Sequence, residues 1–78
     1  MIEVGKTYRF DPMIEAAGIY KGGEVETTYP RLRFTSGTCI KKGEYGHEFR
    51  GQPHSDSDTY TFFALPEKLG VTITLISS

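Results

Sequence analysis

The chain has one cysteine, no tryptophan, almost no net charge and no long apolar run. Cys39 alone excludes an intramolecular disulfide. A small secreted domain normally needs such bridges, so a reducing, cytoplasmic setting is expected. No apolar stretch approaches the ~18 residues of a membrane-spanning helix. The opening MIEVGKTYRF has neither a basic n-region nor an apolar h-region, so no signal peptide is expected. Nine Lys and Arg against ten Asp and Glu leave a net charge of −1. No global field therefore draws the chain to nucleic acid or an anionic membrane, and contact with either needs a local patch. The phosphate-binding patterns GxGxxG and GxxxxGK[ST] are absent, which leaves Gly22-Gly23 as a turn. No cofactor and no membrane partner are expected.

What is present is bulk and turn chemistry. Seventy-eight residues form a single domain, 1–78, and a chain of this size buries only ~60–65% of its unfolded surface. Five Tyr and five Phe supply large buried areas to a sequence only 37% hydrophobic. Nine Gly and four Pro favour tight turns over long helices. The densest apolar stretch is Thr59–Ile76. Its first part, through Leu65, is heavy on both parities, as in a strand covered on both faces. Val71, Ile73 and Leu75 then alternate with Thr72 and Thr74. Pro66 to Gly70 interrupts the two as a short 3₁₀ turn.

Upstream, Ile2–Phe10 reads as a strand, with Val4, Tyr8 and Phe10 on one parity. Asp11-Pro12 has the look of a helix start, Asp capping and Pro at the first position, so a short helical turn is expected near residues 12–17. Ile19–Lys21 and Glu24–Thr27 flank Gly22-Gly23 as a polar hairpin. Arg31–Ser36 is the next strand, with Leu32 and Phe34 inward, and Gly37 is a bulge that alters the facing of Thr38, Cys39 and Ile40. Tyr45–Arg50 follows, with Tyr45, His47 and Phe49 on one parity. Gly51–Asp58 is loop. The expected core is Phe34, Phe49, Phe62, Val71, Ile73 and Leu75.

These elements predict an all-β domain of five or six antiparallel strands, coiled into a small SH3-like barrel. An OB-like barrel and a small β-sandwich are the alternatives. The order of strand, long excursion, three meandering strands, 3₁₀ turn and last strand is SH3-like. Ala64-Leu65-Pro66-Glu67-Lys68-Leu69-Gly70-Val71 resembles the Leu/Phe-Pro-x-x-x-Val passage before the last strand of SH3-like domains, over eight residues of 78. The Ala-Leu-Tyr-Asp-Tyr stretch and groove tryptophan of true SH3 domains are absent, so proline-rich peptide binding is not implied.

Four constellations are candidates for function. His54, Asp56 and Asp58 alternate in an extended loop and offer N and O donors to a cation, with His47 one strand away. Their spacing matches neither an EF-hand nor a zinc pair, so solvation of the loop is the reading preferred and no metal is expected. His47 with Glu48, or Cys39 with either His, supplies acid–base or nucleophile types without a surrounding signature. Cys39 reads as a buried thiol, and the chain is expected not to be an enzyme. Arg31, Arg33, Lys41, Lys42 and Arg50, with Tyr29 and Tyr45, could make a basic, aromatic face for single-stranded nucleic acid, diluted by Glu24, Glu26, Glu44 and Glu48. The hairpin Tyr20–Tyr29 has the least structural excuse, because a lengthened polar hairpin costs ordering entropy and adds little core. Tyr20 and Tyr29 would anchor a protein partner there, and Glu24 and Glu26 would steer it toward a basic groove. The reading is a non-enzymatic protein-binding module, of the kind phages and mobile elements use as small inhibitors or accessory factors of a host protein. A single-stranded nucleic-acid-binding barrel is the alternative.

Overall fold

The computed structural model describes residues 2–16, 18–21, 24–26, 32–54 and 57–77. Seven antiparallel strands run through them: β1 (Thr7–Glu15), β2 (Gly18–Lys21), β3 (Glu24–Glu26), β4 (Arg33–Lys41), β5 (His47–Gly51), β6 (Tyr60–Ala64) and β7 (Thr72–Ser77). They make one sheet in the order β3-β2-β6-β5-β4-β1-β7, which does not close. The Cα atoms of a flat sheet span only a few ångström in depth. Here the smallest extent is 21 Å, so the sheet curls strongly.

Curling is what buries the inner face. Alternation puts Tyr60, Phe62 and Ala64 of β6 and His47 and Phe49 of β5 on that face, all buried, while Thr61, Phe63 and Glu48 on the other face are half-buried. Phe34, Phe49 and Phe62 are completely inaccessible. Phe62 is the middle ring: it stacks on Phe34 at 3.8 Å between centroids and on Phe49 at 5.3 Å. Phe10 meets Phe49 edge-on at 5.4 Å, a geometry that ring quadrupoles favour. Tyr8, Ile14, Cys39 and Ile2 complete the core. Gly37 makes the stack possible, since a Cβ there would lie 2.7 Å from the Phe62 ring and 3.0 Å from Phe49 Cβ. The facing of β4 does change, but before Gly37 and not through a bulge at it: Phe34 points inward at one parity, Gly37 and Cys39 at the other, and register with β1 is regular from Ser36 to Thr38.

The N-terminal third departs from expectation. The first strand begins at Thr7, because Gly5 at φ 89° turns the chain and Lys6 N–H bonds back to Glu3. Val4 is exposed as a result, whereas Ile2 folds into the core. No helical turn forms near 12–17 in the described part of that stretch: β1 continues through Glu15, and the Asp11–Pro12 peptide is cis. A helix of one or two turns has little stability of its own. Extended backbone instead lets Asp11 pair with Thr72, Ile14 with Phe34 and Glu15 with Arg33, and buries Ile14. Pro12, which has no N–H to give a ladder, falls between Arg9 and Ile14 where β1 and β4 lose register.

The C-terminal strand differs as well. The 3₁₀ turn Pro66–Lys68 lies where expected and ends at Gly70 with φ 72°. Of the three inward residues expected on β7, however, Val71 and Ile73 are only half-buried and Leu75 is 51% exposed. β7 is the terminal strand of the sheet, and an edge strand has a neighbour on one side only.

Removing the Phe62 side chain should cost ~3–5 kcal/mol, close to the whole stability of so small a domain. A thermal melt of Phe62→Ala is expected to show an unfolded or severely destabilised chain, and a melt within a few degrees of the parent would refute the packing described.

Candidate functional site

Among the described residues, Cys39, His47 and Glu48 have other partners than one another. Cys39 is fully buried, its thiol directed at the Lys41 carbonyl oxygen 3.7 Å away. Burial pushes the thiol pKa up, against smaller opposing effects of the Lys41 backbone and of the Lys42 charge. A buried, protonated thiol is a poor nucleophile. His47, on the inner face of β5, is buried as well. Its Nδ1 accepts from the Gly43 backbone N–H at 3.3 Å, and its Nε2 lies 2.8 Å from Glu67 Oε2. That pattern fits a neutral ring donating through Nε2–H to a carboxylate.

Neither Glu48 nor Cys39 is therefore the partner of His47, contrary to the pairs drawn from sequence. Glu48 faces outward, 3.9 Å from Lys41 Nζ. The pairing with Glu67 was not legible, because the two residues lie 20 positions apart and meet only when the 3₁₀ turn is laid against β5. The inward parity of His47 was the one available signal.

Glu67 feels opposing influences. Desolvation raises its pKa, but the bond to His47, its own backbone and the charge of Lys42 outweigh that and leave it below the usual value. Beside it a cleft of about 270 Å³ is lined by Ile2, Glu3, Tyr8, Glu67, Ile73 and Leu75. Glu3 is held ionised by a 3.0 Å bond to Lys6 Nζ, and its backbone N–H donates to the Tyr8 hydroxyl at 2.8 Å.

The metal constellation is only partly in view. Asp56 lies outside the described residues; His54 and Asp58 are exposed, and the His54 N–H donates to the Arg33 carbonyl at 2.8 Å. Among the described residues no group of three or more His, Cys, Asp or Glu is placed to hold an ion.

The basic set is dispersed. Arg31, like Tyr29, is outside the described residues. Arg33 Nε lies 3.4 Å from Glu15 Oε1, and Lys41 is engaged by Glu48. Lys42 and Tyr45 are exposed in the connection before β5, with Tyr45 82% exposed. Arg50 differs from the rest. It is exposed on β5 between Thr38 of β4 and Thr61 of β6, and among the described residues no carboxylate pairs with it. Register continues that row to Thr7 on one side and to the Tyr20 position of β2 on the other. Thr7 and Thr38 share a hydroxyl–hydroxyl bond of 2.7 Å.

Of the expected partner-binding hairpin, β2 and β3 are described as backbone. Tyr20 pairs with Val25 and Lys21 with Glu24, as a two-residue connection requires. β2 also pairs with β6 through Gly18, Ile19 and Tyr20, so the hairpin extends the sheet. β3 is the terminal strand among those described, which sets Glu24 and Glu26 at one end of the sheet. Comparison with protein-family models, with curated proteins and with solved structures finds no match to this chain. No helix among the described residues is long and apolar enough to cross a membrane.

A carboxyl group whose pKa is lower in the folded than in the unfolded chain adds stability above its unfolded pKa, about 4.3 for glutamate. That stability is lost as pH falls through the folded value. The side chain of Glu67 is 41% exposed, so solvent screening holds its contribution to under about 1 kcal/mol. Glu67→Gln should be slightly less stable at pH 7 and should lose less than the parent between about pH 5 and pH 3, followed by denaturant titration at each pH. Identical pH profiles for the two proteins would show that the His47–Glu67 contact adds nothing.

Proposed function

We propose that this chain is a non-enzymatic protein-binding module on a partly open, SH3-like barrel, whose acidic hairpin edge docks on a basic groove of a larger protein. The barrel reading is supported by the order β7-β1-β4-β5-β6, with the β2–β3 excursion between β1 and β4 and the 3₁₀ turn between β6 and β7. The observation that carries the function is the position of β3. It is short and terminal, and among the described strands it pairs with β2 alone, which sets the backbone positions of Glu24 and Glu26 at one end of the sheet. Carboxylates at such an edge discourage chance strand pairing and favour a partner of opposite charge. With Cys39 sealed in the core and His47 tied to Glu67, the chain offers surface more readily than a reaction centre. Small inhibitors of host enzymes carried by phages and mobile elements act in this way, and a groove that normally holds nucleic acid is the natural target of an acidic edge.

The test begins with a pull-down from host lysate, with and without nuclease, followed by affinity measurement against the captured protein. Changing Glu24 and Glu26 together to Lys should weaken binding and steepen its loss with salt, while stability stays within about 1 kcal/mol, as exposed changes usually leave it. Unaltered affinity would exclude this hairpin as the recognition element.

Arg50, which no carboxylate among the described residues pairs with, favours a second reading: single-stranded nucleic acid on the outer face. The neutralisation of Arg33 and Lys41 by glutamates weighs against it. Random single-stranded DNA or RNA is expected to bind no better than ~10⁻⁴ M at about 150 mM salt. Sub-micromolar binding that falls steeply with salt and is lost in Arg50→Ala would make this reading the correct one.

A further inference from the structure

The two free edges of the sheet are built differently. β3 carries two glutamates in three residues. β7, Thr-Ile-Thr-Leu-Ile-Ser, carries no charge and no proline, and Leu75 and Ile76 on opposite parities are 51% and 50% exposed. Natural edge strands are ordinarily protected by charge, proline, a covering segment or extreme shortness. A six-residue, β-branched, uncharged edge has none of these devices among the described residues, and it is the kind that accepts another strand.

The ladder identifies which backbone groups remain to be paired. Cys39 N–H donates to the Lys6 carbonyl at 3.0 Å, so that pair is of the hydrogen-bonded kind. In an antiparallel ladder the kinds alternate. Thr7–Thr38 is then a non-bonded pair, in keeping with its close hydroxyl contact, and Tyr8–Gly37 a bonded one. Arg9 must accordingly turn its N–H and C=O away from β4, toward Thr74 of β7. Thr74 spends its backbone groups on β1, and those of Ile73 and Leu75 point out of the sheet.

Ile73 and Leu75 flank Thr74 symmetrically. We propose that β7 is a self-association edge on which a second copy of this chain adds its own β7, antiparallel, about a two-fold axis at Thr74. Ile73 of each copy then exchanges N–H···O=C bonds with Leu75 of the other, and the two Thr74 side chains face each other across a non-bonded pair. The occupant is a second copy because the register closes on itself. The edge is also uncharged, so like charges do not meet within the paired strands, and pairing covers Leu75 and Ile76. The surface is separate from the β3 edge, and each copy keeps its glutamate edge free, so the dimer is a bivalent version of the module. A single strand pair is smaller than the ~800 Å² per partner of a standard interface, so a weak, concentration-dependent association is expected.

Sedimentation equilibrium of the full chain from micromolar to millimolar concentration tests this. The expected result is a reversible monomer–dimer equilibrium. Hydrogen exchange at the Ile73 and Leu75 amides should slow as the dimer fills, while Thr74, already bonded to β1, should not change. Thr74 is exposed, so Thr74→Lys should fold as the parent does, yet associate at least about tenfold more weakly because two ammonium groups would meet at the axis. An equimolar mixture of Thr74→Lys and Thr74→Glu should restore the dimer. A chain that stays monomeric at about 1 mM overturns the proposal, as does a dimer that Thr74→Lys leaves intact or one that leaves the Ile73 and Leu75 amides unprotected.

Discussion

The structure depends on the close approach of aromatic rings to bare backbone at Gly37. A single curled sheet has one inner face, and every buried large side chain must share the space that face encloses. Phe34, Phe62 and Phe49 fill it as a continuous stack, and Phe10 closes one end edge-on. Phe62 is inaccessible and held between two other rings, so it cannot retreat from an added side-chain atom at position 37. A smaller version of the same arrangement recurs at the opposite face, where the Phe63 ring lies over Gly46 in the connection to β5. Ring area thus compensates for a low hydrophobic content, provided glycine lies beneath the rings.

The cost of this economy is at the edges. Curling brings β1, β4, β5 and β6 around the aromatic core and leaves β3 and β7 as the ends of an open sheet. Each end has a row of backbone groups with no neighbouring strand among the described residues. The sequence answers differently at the two ends, with carboxylates on β3 and with none on β7. That difference distinguishes a surface suited to a partner of opposite charge from one suited to its own copy, and both readings follow from one constraint.

Parity carried most of what was legible in the sequence. Alternation around Phe49 and Phe62, the break at Pro66 and the hairpin pairing of Ile19–Lys21 with Glu24–Glu26 are local signals, and each matches the described structure; the turn expected at Gly22-Gly23 itself lies outside the described residues. What failed depended on neighbours. Asp11-Pro12 has a sound local signature for a helix start, but pairing with β4 and β7 outweighed it. Leu75 has the parity of a core residue, yet its burial depended on whether β7 had a neighbour on each side. The His47–Glu67 pair joins segments that only tertiary structure brings together. Glu48, near Lys41 along the chain, was legible as a diluting charge, whereas Glu15 meets Arg33 only because β1 pairs with β4 across 18 positions.

The dependence of the core on Gly37 is tested most directly by a double-mutant cycle with Phe62. Gly37→Ala should destabilise the parent by about 1–3 kcal/mol, the usual cost of overpacking. The same change in a Phe62→Leu background, where no ring lies over position 37, should cost far less, giving a coupling well above the few tenths expected of independent sites. Equal costs in the two backgrounds, measured by denaturant unfolding, would contradict the account.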